Sequence, residues 1–309
     1  MMGTHQIGAS LAALALRALG VSLGDADAPV PRGADDLAAC QSHRLLTQLD
    51  DELLTRLHGS WDQPPVLDPG WEQDPALDTC RAQAARVLEE VFGRDADGPI
   101  GWADPKLSLL LPFWRTVTPI AAAIVVVDDP QTVAAAWRVH NGIDASRASL
   151  LWLRYLFAAV ANDPDHLLLR GRDFVEDLPR TLASIARHTG LPQPDARAEQ
   201  VVRDAVHSAP LSRLVADAAL DDRNPLVAMA AAVWNGGAID VGVVPPLVVD
   251  AIRTGWLRPS GDTEILARAR AQVVDLKARL RRRRRRPDPE RAASSAESST
   301  SRGEEVPDG

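Results

Sequence analysis

The 309-residue chain is short of cysteine: Cys40 and Cys80 stand alone, without the pairs that a disulfide framework or a metal cage requires. Both are expected to be small core fillers, and no metal is expected. Long apolar runs are missing too, since no stretch approaches the ~20 residues that cross a bilayer. The one segment that resembles a secretory leader, 7–23, lacks a cationic start and is interrupted by Arg17. A cytoplasmic protein is the default expectation. Excess positive charge is absent as well, and a formal net charge of −8 argues against a nucleic-acid binder. Nor does the opening glycine loop carry the lysine and threonine of a Walker A motif. What is present is an ordinary composition, 46% hydrophobic and 25% charged, with length for one large domain or two small ones.

The first two dozen residues organise the rest. Gly3 and Gly8 bracket a short loop, and Leu11, Leu14, Ala15, Ala18 and Leu19 then recur at helical spacing before Gly20. A glycine loop feeding a helix N-terminus is a common anion site, because unbonded N–H groups and the helix dipole point at the ligand. It is equally the form of a plain turn before a core helix.

Further along, Leu45, Leu46, Leu49, Leu53, Leu54 and Leu57 mark an amphipathic helix, and 75–92 reads as another ending at Gly93. A brief strand is expected to enter the turn at 102–106, followed by a helix over 107–117 broken near Pro112. The clearest strand is 120–127, whose unbroken apolar run suits a parallel strand covered on both faces. Asp128-Asp129-Pro130 then offers a capping acid and a proline at the first helical position, with Asp128 expected as a favourable cap. Helices are predicted to His140, over 145–161 and over 174–189, with a second buried strand at 166–169. Strands alternating with helices imply a parallel α/β sheet with its crevice at the carboxyl ends. The turns at 3–10, 102–106 and 128–130 should therefore converge.

Residues 193–260 read as mostly helical. Leu266, Ala269, Val273, Leu276 and Leu280 then form a short heptad seam that would dock on its own domain or pair copies through 262–280. Arg281–Arg286 come next, either as a solvated charge run or as a contact for anionic lipid, and 287–309 has nothing to bury and is expected to be disordered. The division expected is 1–260, 261–286 and 287–309.

Several separated stretches agree with one family. The chain resembles the bacterial sulfotransferases, which use 3′-phosphoadenosine 5′-phosphosulfate (PAPS) on a P-loop-like α/β fold. The resemblance rests on Gly3-Thr4-His5-Gln6-Ile7-Gly8-Ala9-Ser10 and Leu19-Gly20-Val21-Ser22-Leu23-Gly24. It extends through Leu49-Asp50-Asp51-Glu52-Leu53-Leu54 with Trp61, Pro64-Pro65 and Gly70-Trp71, and through Gly101-Trp102-Ala103-Asp104-Pro105-Lys106. Leu111-Pro112-Phe113-Trp114-Arg115, Asp128-Asp129-Pro130, Asn141-Gly142 and Leu151-Trp152-Leu153-Arg154-Tyr155 complete it, over about residues 1–195. It implies transfer of a sulfuryl group from PAPS to a hydroxyl of a glycan or glycolipid. Because only Met1 and Met2 precede Gly3, and the family's loop comes after a buried strand, a start further upstream is expected.

The departures fall on the residues that the resemblance makes functional. The basic residue that assists transfer is here Gln6, the threonine on the same group is Ala9, the arginine for the 3′-phosphate is Asp128, and a serine beyond it is Ala136. Gly3, Gly8 and Ser10 persist in the donor loop, with His5 and Lys106 as candidate replacements for the lost charge and Arg154 as a further nearby cation. Exchanging attraction for repulsion at Asp128 weakens donor binding by about 2–8 kcal/mol, at least ~30-fold. The residues leave two readings: a sulfotransferase with an altered donor site, or a catalytically silent relative that binds a partner or a substrate-like glycan.

Overall fold

A computed structural model of the chain describes residues 2–3, 7–24, 43–93, 98–208, 224–234, 239–244 and 246–254. The heptad seam, the arginine run, the tail and Cys40 lie outside these residues. In chain order the elements are β1 (Met2–Gly3), α1 (Ile7–Ala18), α2 (Arg44–Arg56), α3 (Asp78–Phe92), α4 (Leu107–Val117), β2 (Ile124–Val127), α5 (Pro130–Asn141) and α6 (Ala145–Asn162). They continue with β3 (Leu167–Arg170), α7 (Asp173–Glu176), α8 (Leu178–Thr189), α9 (Ala196–Ser208), α10 (Pro225–Val233) and α11 (Pro246–Thr254).

The sheet is small and wholly parallel. Its central strand, β2, is buried along its whole length; β1 pairs with Val125 and Val126 on one side, and β3 pairs with all four β2 residues on the other. Alternation along β2 divides the core into two. Val125 and Val127 face a cluster built from α2 to α6, α10 and α11, while Ile124 and Val126 face one built from α1 and α7 to α9. Helices thus cover both faces, which is why β2 reads as an uninterrupted apolar run. The fold is α/β and mostly helical. Among the described residues no helix is long and apolar enough to cross a membrane.

Helix α6 sits in the middle of the larger cluster, with Trp152, Tyr155 and Phe157 each 1% exposed or less. Gly142 and Gly190 close α5 and α8 in the left-handed conformation, as their places after apolar periodic stretches predict. Cys80 is a buried filler of the face between α3 and its neighbours.

Four expectations need correction. First, α4 runs unbroken through Pro112. The carbonyl that loses its helical partner to this proline belongs to Ser108, and Asn162 Nδ2 donates to it at 2.9 Å from the end of α6. Second, the strand predicted from 120 begins only at Ile124, and the strand before the 102–106 turn is a single parallel bridge between Ser22 and Ile100. Third, β3 is an edge strand with only Leu169 buried, not a buried strand. Fourth, the helix predicted over 174–189 is divided at Asp177, whose carboxylate caps α8 by accepting from the Arg180 amide.

Candidate functional site

The first turn of α1 meets the end of β2 at the carboxyl edge of the sheet. The Gly8 amide, one of the N–H groups a helix start leaves without an internal partner, donates to the Asp128 carboxylate at 3.3 Å. Asp128 therefore does not cap α5. Asp129 does so, accepting from Gln131 N at 2.7 Å and Thr132 N at 3.2 Å, because it directly precedes Pro130 at the first helical position. Asp128, one residue earlier, belongs to the strand end and turns toward α1. Its carbonyl is held by Trp152 Nε1 at 3.0 Å, which ties the site to the core helix α6.

Two glycines make room for this carboxylate. A Cβ at Gly171 would lie 1.9 Å from Asp128 Oδ1, and one at Gly8 would lie 2.7 Å from Gly171 Cα. Burial pushes the Asp128 carboxyl up to about 6, with the Gly8 amide opposing and Asp129 adding to the rise. At neutral pH it is thus mostly ionised, a fixed negative charge at the positive end of α1.

Of the three turns expected to converge, two do: the glycine loop through Gly8, and the turn at Asp128. The third member is Gly171, after β3, which sequence reasoning missed. A glycine just beyond an apolar strand at the carboxyl edge of a parallel sheet was its available signal. Arg170 beside it is committed to Asp173, its Nε donating to Oδ1 at 2.8 Å. Gly3 lies in β1, while Ala9 and Ser10 are buried in the first turn of α1. His5 and Gln6 lie outside the described residues.

Lys106 is elsewhere. Its ammonium is buried, donates to Asp51 Oδ1 at 2.7 Å and to the Thr47 carbonyl at 3.1 Å, and lies 3.4 Å from Asp104 Oδ2. Burial alone would depress its pKa, but Asp104 and Asp51 raise it above the usual value. Asp50, beneath the cluster, accepts from Trp114 Nε1 at 2.8 Å; burial and the neighbouring Asp104 hold its carboxyl well above the usual range. Asp104 also accepts from the Lys106 amide at 2.8 Å, and Trp102 packs edge-on against Trp114 at 5.0 Å. The Trp102–Lys106 motif is therefore a brace between α2 and α4, which corrects its expected place at the crevice. Arg154 is likewise structural, bonding the carbonyls of Pro64 and Pro65 and so shaping that turn.

Ala136 and Lys106 do share a cleft of about 430 Å³, together with Asp51, Trp61, Trp137, His140 and Asn141. Trp61 and Trp137 meet edge-to-face at 6.0 Å on its wall, and neither Gly8 nor Asp128 lines it. Among the described residues, the predicted site thus falls into two separate places: a closed helix terminus and an open polar cleft with an aromatic wall. Fold and site define an α/β protein with a small parallel sheet, in which the first turn of α1 meets a buried carboxylate from the end of β2. Set against protein-family models, curated proteins and solved structures, the chain matches none of them.

Proposed function

We propose that the chain is a P-loop-type, sulfotransferase-like protein acting as a binding module, with the position of a donor phosphate held by its own Asp128. The observation that carries this reading is the Gly8 amide donating to the Asp128 carboxylate. PAPS fits these residues poorly. A phosphate brought to the same helix terminus would meet a carboxylate, and Ala9 offers no hydroxyl to hold it, while Ala136 lies in the separate cleft. Sulfuryl transfer, like phosphoryl transfer, relies on cations at the oxygens that gain charge. Lys106 already serves Asp51 and Asp104.

The ligand we assign is a glycan or glycolipid headgroup in the 430 Å³ cleft. Indole edges and faces cover the C–H surface of a sugar ring, while Asp51, His140 and Asn141 supply partners for its hydroxyls. Self-association through 262–280 and contact of 281–286 with anionic lipid belong to the same proposal.

Calorimetric titration with 3′-phosphoadenosine 5′-phosphate tests it. The unaltered chain is expected to show no binding at millimolar nucleotide and pH 7.5. A variant carrying Gln6→Arg, Ala9→Thr, Asp128→Arg and Ala136→Ser should gain measurable affinity. Micromolar binding by the unaltered chain would restore the reading as an active sulfotransferase.

A further inference from the structure

At the opposite, amino-terminal end of the sheet lies a second cavity of about 320 Å³, lined mainly by apolar side chains. On one side it is bounded by Pro99–Trp102 and on the other by the segment 119–124 that leads into β2. Leu16 and Val21 line it from one core cluster, and Leu107 and Leu111 from the other, so the cavity lies in the plane of the sheet. It is also in line with β1. Met2 pairs with Val125 and Gly3 with Val126, so continuing β1 backward in the same register passes Ile124 and then 121–123.

The backbone on both flanks faces this space. Pro99 O and Gly101 N are bonded to Ser22, which directs the peptide groups of Ile100, between them, to the other side. Ala123 O accepts from Leu167 N of β3 at 3.0 Å, and the strand's alternation directs Ala122 away from β3. Among the described residues no backbone hydrogen bond reaches Ile100, Ala121 or Ala122. Ile100 is 41% exposed, a large apolar side chain at the mouth of the slot.

We propose that this slot receives an extended peptide from outside these 309 residues, which adds to the sheet parallel to β2 and in line with β1. A hydrocarbon chain would cover the apolar walls but leave the peptide groups of Ile100 and Ala122 dry and unpaired, at a cost a peptide strand avoids. Because the walls come from both core clusters, the occupant is apolar at consecutive positions, not alternating ones. At about 3.3 Å per residue, three residues span the stretch opposite 121–123. The slot is separate from the polar cleft, and its occupant does not depend on the ligand assigned there.

The test joins a probe of six consecutive valines and isoleucines ahead of Met1 of the full chain, and compares it with a Gly/Ser extension of equal length. Linking raises the effective concentration into the millimolar range. The apolar probe should slow amide hydrogen exchange at Ile100 and Ala122 at least tenfold and raise the melting temperature; the Gly/Ser extension should do neither. Ile100→Lys, at an exposed position, should return exchange to the rate of the unextended chain. Equal exchange in both extended proteins would overturn the proposal. So would protection of the unextended chain by dodecanoate with none from the probe.

Discussion

Replacing Asp128 with asparagine keeps an oxygen to accept from the Gly8 amide and removes the charge. The folded protein raises this carboxyl from 3.8 to about 6. A rise of that size corresponds to about 3 kcal/mol between the two protonation states, an upper bound because the residue keeps some contact with solvent. The sign comes from proton counting. Between 3.8 and about 6 the folded chain holds a proton that the unfolded chain releases, so Asp128 costs nothing below the lower value and its full penalty above the higher. The Asp128→Asn variant should therefore match the parent near pH 3.5 and exceed it at pH 8 by up to about 3 kcal/mol, or roughly 6–12 °C in melting temperature. Urea unfolding monitored by circular dichroism at both pH values reads the difference. Comparing variant with parent also cancels the contributions of Asp50 and Asp104, whose raised carboxyls titrate in the same direction. A variant less stable than the parent by the same amount at both pH values would refute the reasoning. The carboxylate would then be a favourable helix cap, not a charge held at a cost.

Lys106→Met should cost about 3–5 kcal/mol at pH 7, because it leaves the buried Asp104 and Asp50 without their cation. Adding Asp104→Asn should recover part of that loss in a double-mutant cycle of urea unfolding. Gly171→Ala should destabilise the protein by about 2 kcal/mol or more, since its Cβ would lie 1.9 Å from Asp128 Oδ1. Asp128→Gly in the same chain should relieve most of it, which chemical denaturation would show. Asn162→Ala should cost about 1–3 kcal/mol by leaving the Ser108 carbonyl without its donor, and thermal unfolding reads this directly.

Local patterns carried much of the fold. The leucine spacing of α1 and α2, the glycines at 20, 93, 142 and 190, and the valine run of β2 each lie within one or two turns of chain. Their physics is local: side-chain period, steric freedom at a positive φ, and an apolar run too short for a helix. A strand buried on both faces also implied helices above and below it, and these are present. Family resemblance, composition and charge could be stated from the residues alone, because they are properties of the chain and not of its path.

Side-chain destinations were decided by tertiary structure. Asp128 and Asp129 are chemically identical neighbours before a proline, and either could cap the next helix. Only the strand's end directs one to α5 and the other 120 residues back to Gly8. Lys106 looked like a free cation beside a crevice, yet three aspartates from α2 and its own turn surround it. Pro112 looked like a helix break until Asn162, 54 residues away from Ser108, supplied the missing donor to that carbonyl. In each case the deciding partner is remote in sequence, and the pairing energy depends on burial that exists only once the layers have closed. Period and composition determine which elements form; desolvation, which belongs to the assembled fold, decides what a charged side chain does there.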